Sequence, residues 1–402
     1  MNWTEKTWIV ATCGRGCAAV LKAELKALGY EPQDVSPTSV GLEGDLRDAM
    51  RLNLWLRTAN RVLFEVAGFE IDSADDLYEA VRSLPWEDWL RRDAPFHVHG
   101  VAQHESIRDP RFAVLRCKDA IADRFVDKTG ARPDSTSTPE GAACVALYWK
   151  EQAAQIFIDT SGIPLSHRGY RWRGWVAPLR ETLAASIVLE AGWGKNPAEA
   201  FVGPMCGSGT LAIEAAWMAQ NRAPGLDRED YAFLRLDGAD AVAWRDLKAE
   251  ARTKFVAAPR TWIAASDVDA QAIACARDNA TRAGVEGLIR FHTCDFRDTP
   301  LPKPPVLIAM NPEYGERMGL EERLVPLYES IGTYLKTKCQ GMRAAVFTGN
   351  LALGRKIGLH PARRTAMWNG DIECRLLEYE LYAGTRDARL LRKHGTGDSA
   401  PQ

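Results

Sequence analysis

Hydrophobic and polar positions alternate between strand-like and helix-like periods along most of this chain. Within residues 1–70, short apolar runs of strand length alternate with segments in which apolar residues recur every three or four positions. Leu21, Leu25 and Leu28 fall on one face of such a segment, and charged residues occupy the other faces. A helix that covers a small sheet shows this pattern. The pattern predicts a compact α+β domain over residues 1–70, with no catalytic constellation in it.

Residues 71–160 predict a second α+β domain. Two short helical patterns precede a strand, a long helical pattern and a hairpin-like pair of strands. Six basic residues collect on or near the long helix: Arg108, Arg111, Arg116, Lys118, Arg124 and Lys128. A charge series along a helix usually marks a solvated face, and contact with RNA is the alternative.

From residue 178 to 385, strands and helices alternate regularly, apart from a polar, tryptophan-bearing helical insert near residues 218–259. This alternation predicts an α/β fold with a parallel, doubly wound sheet and right-handed crossovers. The last two strand patterns lack a separating helix, so we expect them to form an antiparallel hairpin. Residues 161–177 are predicted to be a linker, and residues 386–402 a loose tail.

Composition narrows the class of protein. A chain of 402 residues exceeds what one core normally supports. Since no apolar run approaches the ~20 residues of a membrane span and no signal-peptide pattern opens the chain, we expect a cytoplasmic protein without a membrane partner. Nine scattered cysteines favour buried thiols over disulfides or a metal site. The net charge of −2 argues against a nonspecific nucleic-acid-binding protein and permits a local nucleic-acid-binding face. The sequence does not give the oligomeric state.

Two strand ends carry the candidate chemistry. Residues 200–216, AFVGPMCGSGTLAIEAA, predict a strand, a glycine turn and a helix. This order suits a nucleotide-like ligand, because glycines allow close approach and the first helical N–H groups are free to donate. The spacing fits neither a Walker loop nor a dinucleotide fingerprint, so a plain strand-to-helix connection is the alternative. Residues 307–317, LIAMNPEYGER, form a second strand with a polar, proline-fixed end.

Together the two strand ends resemble motif I and the N-P-P-Y motif of class I S-adenosylmethionine-dependent methyltransferases that modify an exocyclic amine of a base. The segments RGYRWRGWVAPLRETLAASIV and FTGN are similar to the bacterial THUMP-domain guanine-N2 methyltransferases of 23S rRNA. The resemblance covers residues 7–382. It implies a Rossmann-like, seven-stranded methyltransferase domain, preceded by a ferredoxin-like domain at 1–70 and an RNA-binding THUMP domain at 71–160.

The resemblance also implies the reaction and the residues that bind S-adenosylmethionine. A methyl group would pass to the N2 amine of a guanine in 23S rRNA; a guanine-N2 amine of tRNA and an adenine-N6 amine are alternatives. Thr182 would close over the methionine end of the cofactor. The glycine turn would contribute Pro204, Met205, Cys206, Gly207, Gly209 and Thr210.

Three further residues are expected to bind the nucleoside part of the cofactor. Asp267 ends a strand in the same α/β unit, where a carboxylate can accept hydrogen bonds from both ribose hydroxyls; a helix N-cap is the alternative. The resemblance places Asp295 at the adenine N6 hydrogen and Phe296 on the adenine ring.

Asn311, Pro312 and Tyr314 are the predicted catalytic residues. The Asn311 side-chain oxygen and the Pro312 carbonyl would each accept one N–H of the target amine, and Tyr314 would stack on an extruded base. The alternative for N-P-x-Y is a plain strand-ending turn. Two positions depart from the family pattern: Gly203 replaces an acid, and Glu313 replaces a second proline. An RNA-binding or ribosome-assembly factor with weakened turnover is therefore a competing hypothesis.

The linker interleaves arginines with aromatic residues in GYRWRGW. Such interleaving is typical of surfaces that clamp phosphates and stack bases. It predicts RNA binding by Arg168, Arg171, Trp172 and Arg173. Docking of the tryptophans against the neighbouring domains is the alternative.

Overall fold

A computed structural model describes residues 2–171, 179–315 and 321–382. The chain divides into two compact units. The first takes the residues up to Gly169 together with Asn221–Val256, and the second takes residues 170–220 and those from 257 onward. Trp172 and Arg173, two of the predicted RNA-binding residues, lie outside the described residues.

The described strands, in chain order, are β1 (Thr7–Cys13), β2 (Gln33–Ser36), β3 (Ser39–Gly44), β4 (Ala59–Glu70), β5 (Phe96–Gln103), β6 (Ala143–Lys150), β7 (Ala153–Asp159), β8 (Ala200–Pro204), β9 (Ile263–Asp267), β10 (Ile289–Thr293), β11 (Val306–Met310), β12 (Arg343–Thr348), β13 (Arg363–Asn369) and β14 (Ile372–Glu380). The described α-helices are α1 (Ala18–Ala27), α2 (Leu46–Trp55), α3 (Ala74–Ser83), α4 (Pro110–Thr129), α5 (Glu181–Glu190), α6 (Thr210–Ala219), α7 (Ala241–Thr253), α8 (Ala270–Arg282), α9 (Glu321–Lys338) and α10 (Leu351–Lys356).

One sheet runs through the whole first unit, in the order β2-β3-β1-β4-β7-β6-β5. The long strand β4 pairs antiparallel with β1 on one side and with β7 on the other. The two N-terminal segments that the sequence separates near residue 70 therefore share one continuous sheet.

Helix α2 begins with a reciprocal capping box formed by Asp45 and Asp48. This box satisfies backbone N–H groups that have no partner within the helix.

The helical insert belongs to the first unit, although the sequence places it between two strands of the second. Arg228 of the insert donates to the carbonyl oxygens of Ser161 and Ile163 at 2.8 and 2.6 Å. Burial lowers the pKa of Arg228, yet these backbone acceptors and the adjacent Tyr231 ring stabilise the guanidinium. The insert thus anchors the segment that follows β7.

The second unit contains a sheet in the order β10-β9-β8-β11-β12-β14-β13. Strands β10, β9, β8, β11 and β12 pair in parallel, while β14 runs antiparallel to β12 and β13. This confirms the seven-stranded doubly wound fold with a terminal hairpin. From β8 the chain continues to β9 and β10 on one side of β8, and it then crosses to β11 on the other side. Strands β8 and β11 therefore flank the topological switch point, where open α/β sheets bind ligands.

Buried strand residues and one face of α9 form the core on one side of this sheet. Val202, Ile308 and Val346 come from three neighbouring strands and pack with Tyr328 and Leu335 of α9. Strands covered on both faces read as continuous apolar runs, as β11 does. Among the described residues, no helix combines the length and apolar composition of a membrane span.

Candidate functional site

The glycine turn and Asn311 leave adjacent strands at the same level of the sheet. Val306 of β11 pairs with Ala200 of β8, and Ile308 pairs with Val202. By this register Pro204 and Met310, the last residues of the two strands, lie at the same level, and neighbouring strands are about 4.8 Å apart. The two predicted motifs therefore meet at the carboxyl edge of the sheet, at its switch point.

Hydrogen bonds fasten the glycine turn to the end of β9. The Cys206 N–H donates to the Ser266 carbonyl, and the Gly207 N–H donates to Asp267 Oδ2, each at 2.9 Å. Gly207 and Gly209 adopt positive φ values of 51° and 79°, which glycine tolerates best. The turn thereby directs the N-terminus of α6 towards the carboxyl edge. Burial raises the pKa of the Cys206 thiol, so the thiol stays protonated.

Gly209 also permits a close approach between two helices. A Cβ built on it would lie 2.9 Å from Cβ of Ala276 in α8. The same helix supplies Asn279, whose Nδ2 donates to the Ser208 carbonyl at 3.1 Å. Helix α8 thus packs against the turn, and it leaves no room for a side chain at position 209.

Gly209→Ala is expected to lower the free energy of unfolding by about 1–3 kcal/mol. Alanine at this φ is strained, and its methyl group would collide with Ala276. Chemical denaturation measures the loss. Gly287→Ala is the matched control, because a Cβ there meets nothing within 4 Å and the backbone φ is not positive; an equal loss in both variants would contradict the packing argument.

Asp267 links the turn to the candidate ribose site. Its two carboxylate oxygens accept the N–H groups of Gly207 and Asp269, at 2.9 and 3.1 Å. A carboxylate offers about four acceptor positions, so two remain for a ligand. Asp269 instead caps α8 by accepting the Gln271 N–H at 2.7 Å. The N-cap role therefore falls to Asp269, and Asp267 is left for the turn and a ligand.

Val268 is a residue that sequence reasoning overlooked. It lies between Asp267 and Asp269 at the carboxyl edge, and 74% of its surface is exposed. A β-branched residue between two acids at a strand end was the available sequence signal. Its side chain offers an apolar surface next to the candidate ribose site.

The two residues predicted at the adenine differ in their surroundings. Asp295 is partly exposed, and its oxygens accept from Arg297 at 2.8 and 2.9 Å; this guanidinium lowers the pKa of the carboxyl. Phe296 is only 6% exposed and packs edge to face on Tyr334, with ring centroids 5.4 Å apart. The Arg297 guanidinium lies over the same ring, 5.8 Å from its centroid, and stacking of the Phe296 side chain on the adenine stays a prediction.

The described part of the linker contacts protein groups. Arg168 donates to the carbonyl oxygens of Leu165 and Arg57. Arg171 donates to the Leu179 carbonyl at 2.6 Å, and its Nε lies 3.3 Å from Glu181 Oε1.

Arg171 also reaches the glycine turn. Its Nη2 lies 3.4 Å from Thr210 Oγ1, at the first residue of α6. Thr182, predicted at the methionine end of the cofactor, is buried in the first turn of α5. The contacts of Arg171 thus join the starts of α5 and α6, and they favour a role in shaping the turn over an open RNA clamp.

The N-P-E-Y end combines a buried acceptor with a supported aromatic ring. The Asn311 side-chain oxygen is buried and has no hydrogen-bond partner among the described residues. Pro312 is buried and Glu313 is exposed. The Tyr314 hydroxyl accepts from Asn369 Nδ2 at 2.9 Å. Burying an unpaired acceptor costs about 1–3 kcal/mol. The Asn311 oxygen is therefore suited to accept a hydrogen bond from a bound molecule.

Comparison of the sequence with profiles of known protein families shows which family the chain belongs to. The profile described as "RMKL-like, methyltransferase domain" matches residues 168–378, more than half of the chain. The chain belongs to this methyltransferase family. Two further profiles match the N-terminal part of this family member: an RlmL ferredoxin-like domain at residues 9–63 and a THUMP domain at residues 72–139.

Several relatives of this RMKL-like methyltransferase are known. The ribosomal RNA large subunit methyltransferase K/L of Syntrophotalea carbinolica is 39% identical over 383 residues, which cover 92% of this chain and 53% of that protein. The chain spans about half the length of the curated relatives it matches.

Two solved structures share the fold over almost the whole chain. The protein SMU.472, solved in complex with S-adenosylhomocysteine (SAH), is 27% identical, with a TM-score of 0.85 and coverage of 95% of this chain and 100% of that chain. A predicted N6-adenine-specific DNA methylase from Listeria monocytogenes is 32% identical, with a TM-score of 0.83 and coverage of 95% and 97%.

Several cations on and near α4 of this family member are paired with acids. Arg116 contacts Asp75 at 2.6 Å, and Arg124 contacts Glu87 at 2.7 Å. Arg111 is paired with its neighbour Asp109. These pairs favour the interpretation of α4 as a solvated face, because a paired guanidinium would have to exchange its partner to bind a phosphate.

Proposed function

We propose that this chain transfers a methyl group from S-adenosylmethionine to the N2 amine of a guanine in large-subunit (23S) rRNA. The observation that carries the proposal is the buried oxygen of Asn311, which has no hydrogen-bond partner among the described residues and follows the strand next to the glycine turn, at the switch point of the sheet. Support for an rRNA substrate comes from relatives named ribosomal RNA large subunit methyltransferase K/L.

The residues of the turn suit S-adenosylmethionine. Asp267 keeps acceptor capacity for the ribose hydroxyls, and Val268 offers an apolar surface to the adenine. Asp295 stays ionised and can accept from the adenine N6 amine alongside Arg297. The structural relative SMU.472 was solved with SAH, which supports this class of cofactor. When bound, the cofactor supplies an electrophilic methyl group.

Asn311 and Pro312 would orient the amine. The N2 lone pair of guanine is delocalised into the ring, so the amine must become tetrahedral to react. The Asn311 oxygen and the Pro312 carbonyl can each accept one N–H, which directs the lone pair towards the methyl group. Catalysis of this kind rests on positioning and electrostatic alignment. A base inside a duplex cannot reach such a site, so it must be extruded onto Tyr314.

RNA binding is assigned to the N-terminal unit and the linker. We propose the following boundaries: a ferredoxin-like domain at 1–70, a THUMP domain at 71–160, a linker at 161–177, a methyltransferase domain at 178–385 and a tail at 386–402. The match to a THUMP domain supports an RNA substrate. Arg168, Trp172 and Arg173 remain the proposed linker contacts.

The test is transfer of a labelled methyl group to rRNA from cells that lack this protein. Digestion to nucleosides and mass spectrometry should reveal labelled N2-methylguanosine. Parallel reactions with tRNA separate the two RNA classes, and label on N6-methyladenosine would replace the guanine assignment. Absence of label on guanine from a protein that binds the cofactor would reject the proposal.

A second candidate is an RNA-binding or ribosome-assembly factor with weakened turnover, favoured by Gly203 and Glu313. A Cβ on Gly203 would meet nothing nearer than Phe201 Cε1 at 3.5 Å, which is an ordinary van der Waals contact. Gly203→Asp should tighten cofactor binding about tenfold through a charge-assisted contact with the ammonium group. Calorimetry measures the affinity.

The double variant Gly203→Asp/Glu313→Pro decides between the two candidates. If the natural protein is a weakened factor, the double variant methylates rRNA and the natural protein does not. If the natural protein is an active enzyme, its turnover changes little in the double variant.

A further inference from the structure

Tyr314 is held by residues that lie far along the chain from it, at the end of β12 and in the terminal hairpin. A Cβ built on Gly349 would lie 2.8 Å from both Cδ2 and Cε2 of Tyr314, and 2.9 Å from Cγ2 of Ile372. The ring therefore packs directly on the backbone of Gly349, next to Ile372. Gly349 follows β12, and Ile372 begins β14, so parts of two neighbouring strands support one ring.

Asn369 fixes the far end of the same ring. It is the last residue of β13 and pairs with Ile372 across the terminal hairpin. Gly370, which follows it, has a φ of 62°, so a two-residue turn with glycine first presents Asn369 at the hairpin end. From there Asn369 Nδ2 donates to the Tyr314 hydroxyl at 2.9 Å.

A stacking ring needs such support. Tyr314 comes after the end of β11, outside the hydrogen-bonded sheet, and its side chain is only half-buried. A tyrosine free to change rotamer would lose conformational freedom each time a base stacked on it. A ring fixed in advance avoids that loss and keeps the base plane at one angle to Asn311.

We propose that Asn369 is a positioning residue for the target base and acts through the hydroxyl of Tyr314. This inference rests on the proposed function of Tyr314 as the surface that stacks on the base. The terminal hairpin then belongs to the substrate-binding site through its contact with Tyr314. Gly349 has the complementary role, because only a residue without a side chain lets the ring lie at this depth.

A double-mutant cycle tests the proposal. Asn369→Ala and Tyr314→Phe each remove the same hydrogen bond, while Tyr314→Phe keeps the stacking ring. Each single variant should lower kcat for rRNA methylation about fivefold, the effect of one lost hydrogen bond. The double variant should also be about fivefold slower, and the KM for S-adenosylmethionine should not change. A product of the two effects, about twenty-five-fold, or a raised cofactor KM would overturn the proposal.

A second measurement does not depend on activity. With 3-fluorotyrosine at position 314, the fluorine chemical shift should differ from that of the free amino acid, because the ring packs on Gly349. Asn369→Ala should move the shift towards the free value; an unchanged shift would contradict the proposal. If the wild-type protein methylates no RNA, the proposed function fails, and this shift still decides whether Asn369 holds Tyr314.

Discussion

Asn311→Ala should lower kcat about a hundred- to a thousandfold, the usual effect of removing one preorganised polar group from a site of charge development. The variant should nevertheless be as stable as the wild type, or more stable. The substitution removes the buried Asn311 oxygen, which has no partner among the described residues. Such an oxygen costs about 1–3 kcal/mol in the folded state. Single-turnover methylation and thermal unfolding measure the two effects.

The matched control for this experiment is Asn196→Ala. Asn196 is an exposed asparagine whose side chain accepts from the Ala198 N–H at 3.0 Å, in the loop that precedes β8. Its replacement should leave methylation unchanged. If Asn311→Ala destabilised the fold and slowed the reaction only in proportion to the unfolded fraction, Asn311 would be a structural residue.

Asp267→Ala should weaken cofactor binding at least about a hundredfold, because two hydrogen bonds from ribose hydroxyls to a carboxylate contribute about 1.5–3 kcal/mol each. The variant also frees the Gly207 N–H, which donates to Asp267 in the natural protein, so the turn loses one hydrogen bond to β9 and keeps the one from the Cys206 N–H to the Ser266 carbonyl. Calorimetric titration with SAH measures the affinity.

Asp269→Ala separates cofactor binding from helix capping. Asp269 lies two residues away and caps α8, so its loss should cost about 1 kcal/mol of stability and leave cofactor affinity almost unchanged. Equal losses of affinity in the two variants would show that the S-D-V-D segment acts only through the fold.

The local geometry of the two strand ends could be predicted because local residue patterns specify it. Glycines with positive φ, an acid at the end of β9 and a proline-fixed end of β11 each impose a local geometry on the backbone. Alternating strands and helices then bring these ends to one edge of the sheet. The terminal hairpin followed from the missing crossover helix.

Contacts between distant segments were beyond sequence reasoning. The insert lies between β8 and β9 in the chain but packs in the N-terminal unit, a choice that tertiary contacts such as those of Arg228 decide. Phe296 turns into the core and Val268 faces outward, although both are apolar residues next to an acid. Arg171 reads as an RNA-binding cation, and only the fold reveals that Leu179, Glu181 and Thr210 surround it.

A crystal structure of this chain with SAH tests the central claim most directly, since that claim places cofactor and target amine on either side of Asn311. We predict the cofactor sulfur about 5–7 Å from Asn311 Oδ1, which leaves room for the methyl group and the amine between them. The ribose should then lie on Asp267. A sulfur more than about 12 Å from Asn311, beyond the reach of methyl transfer, would contradict the account.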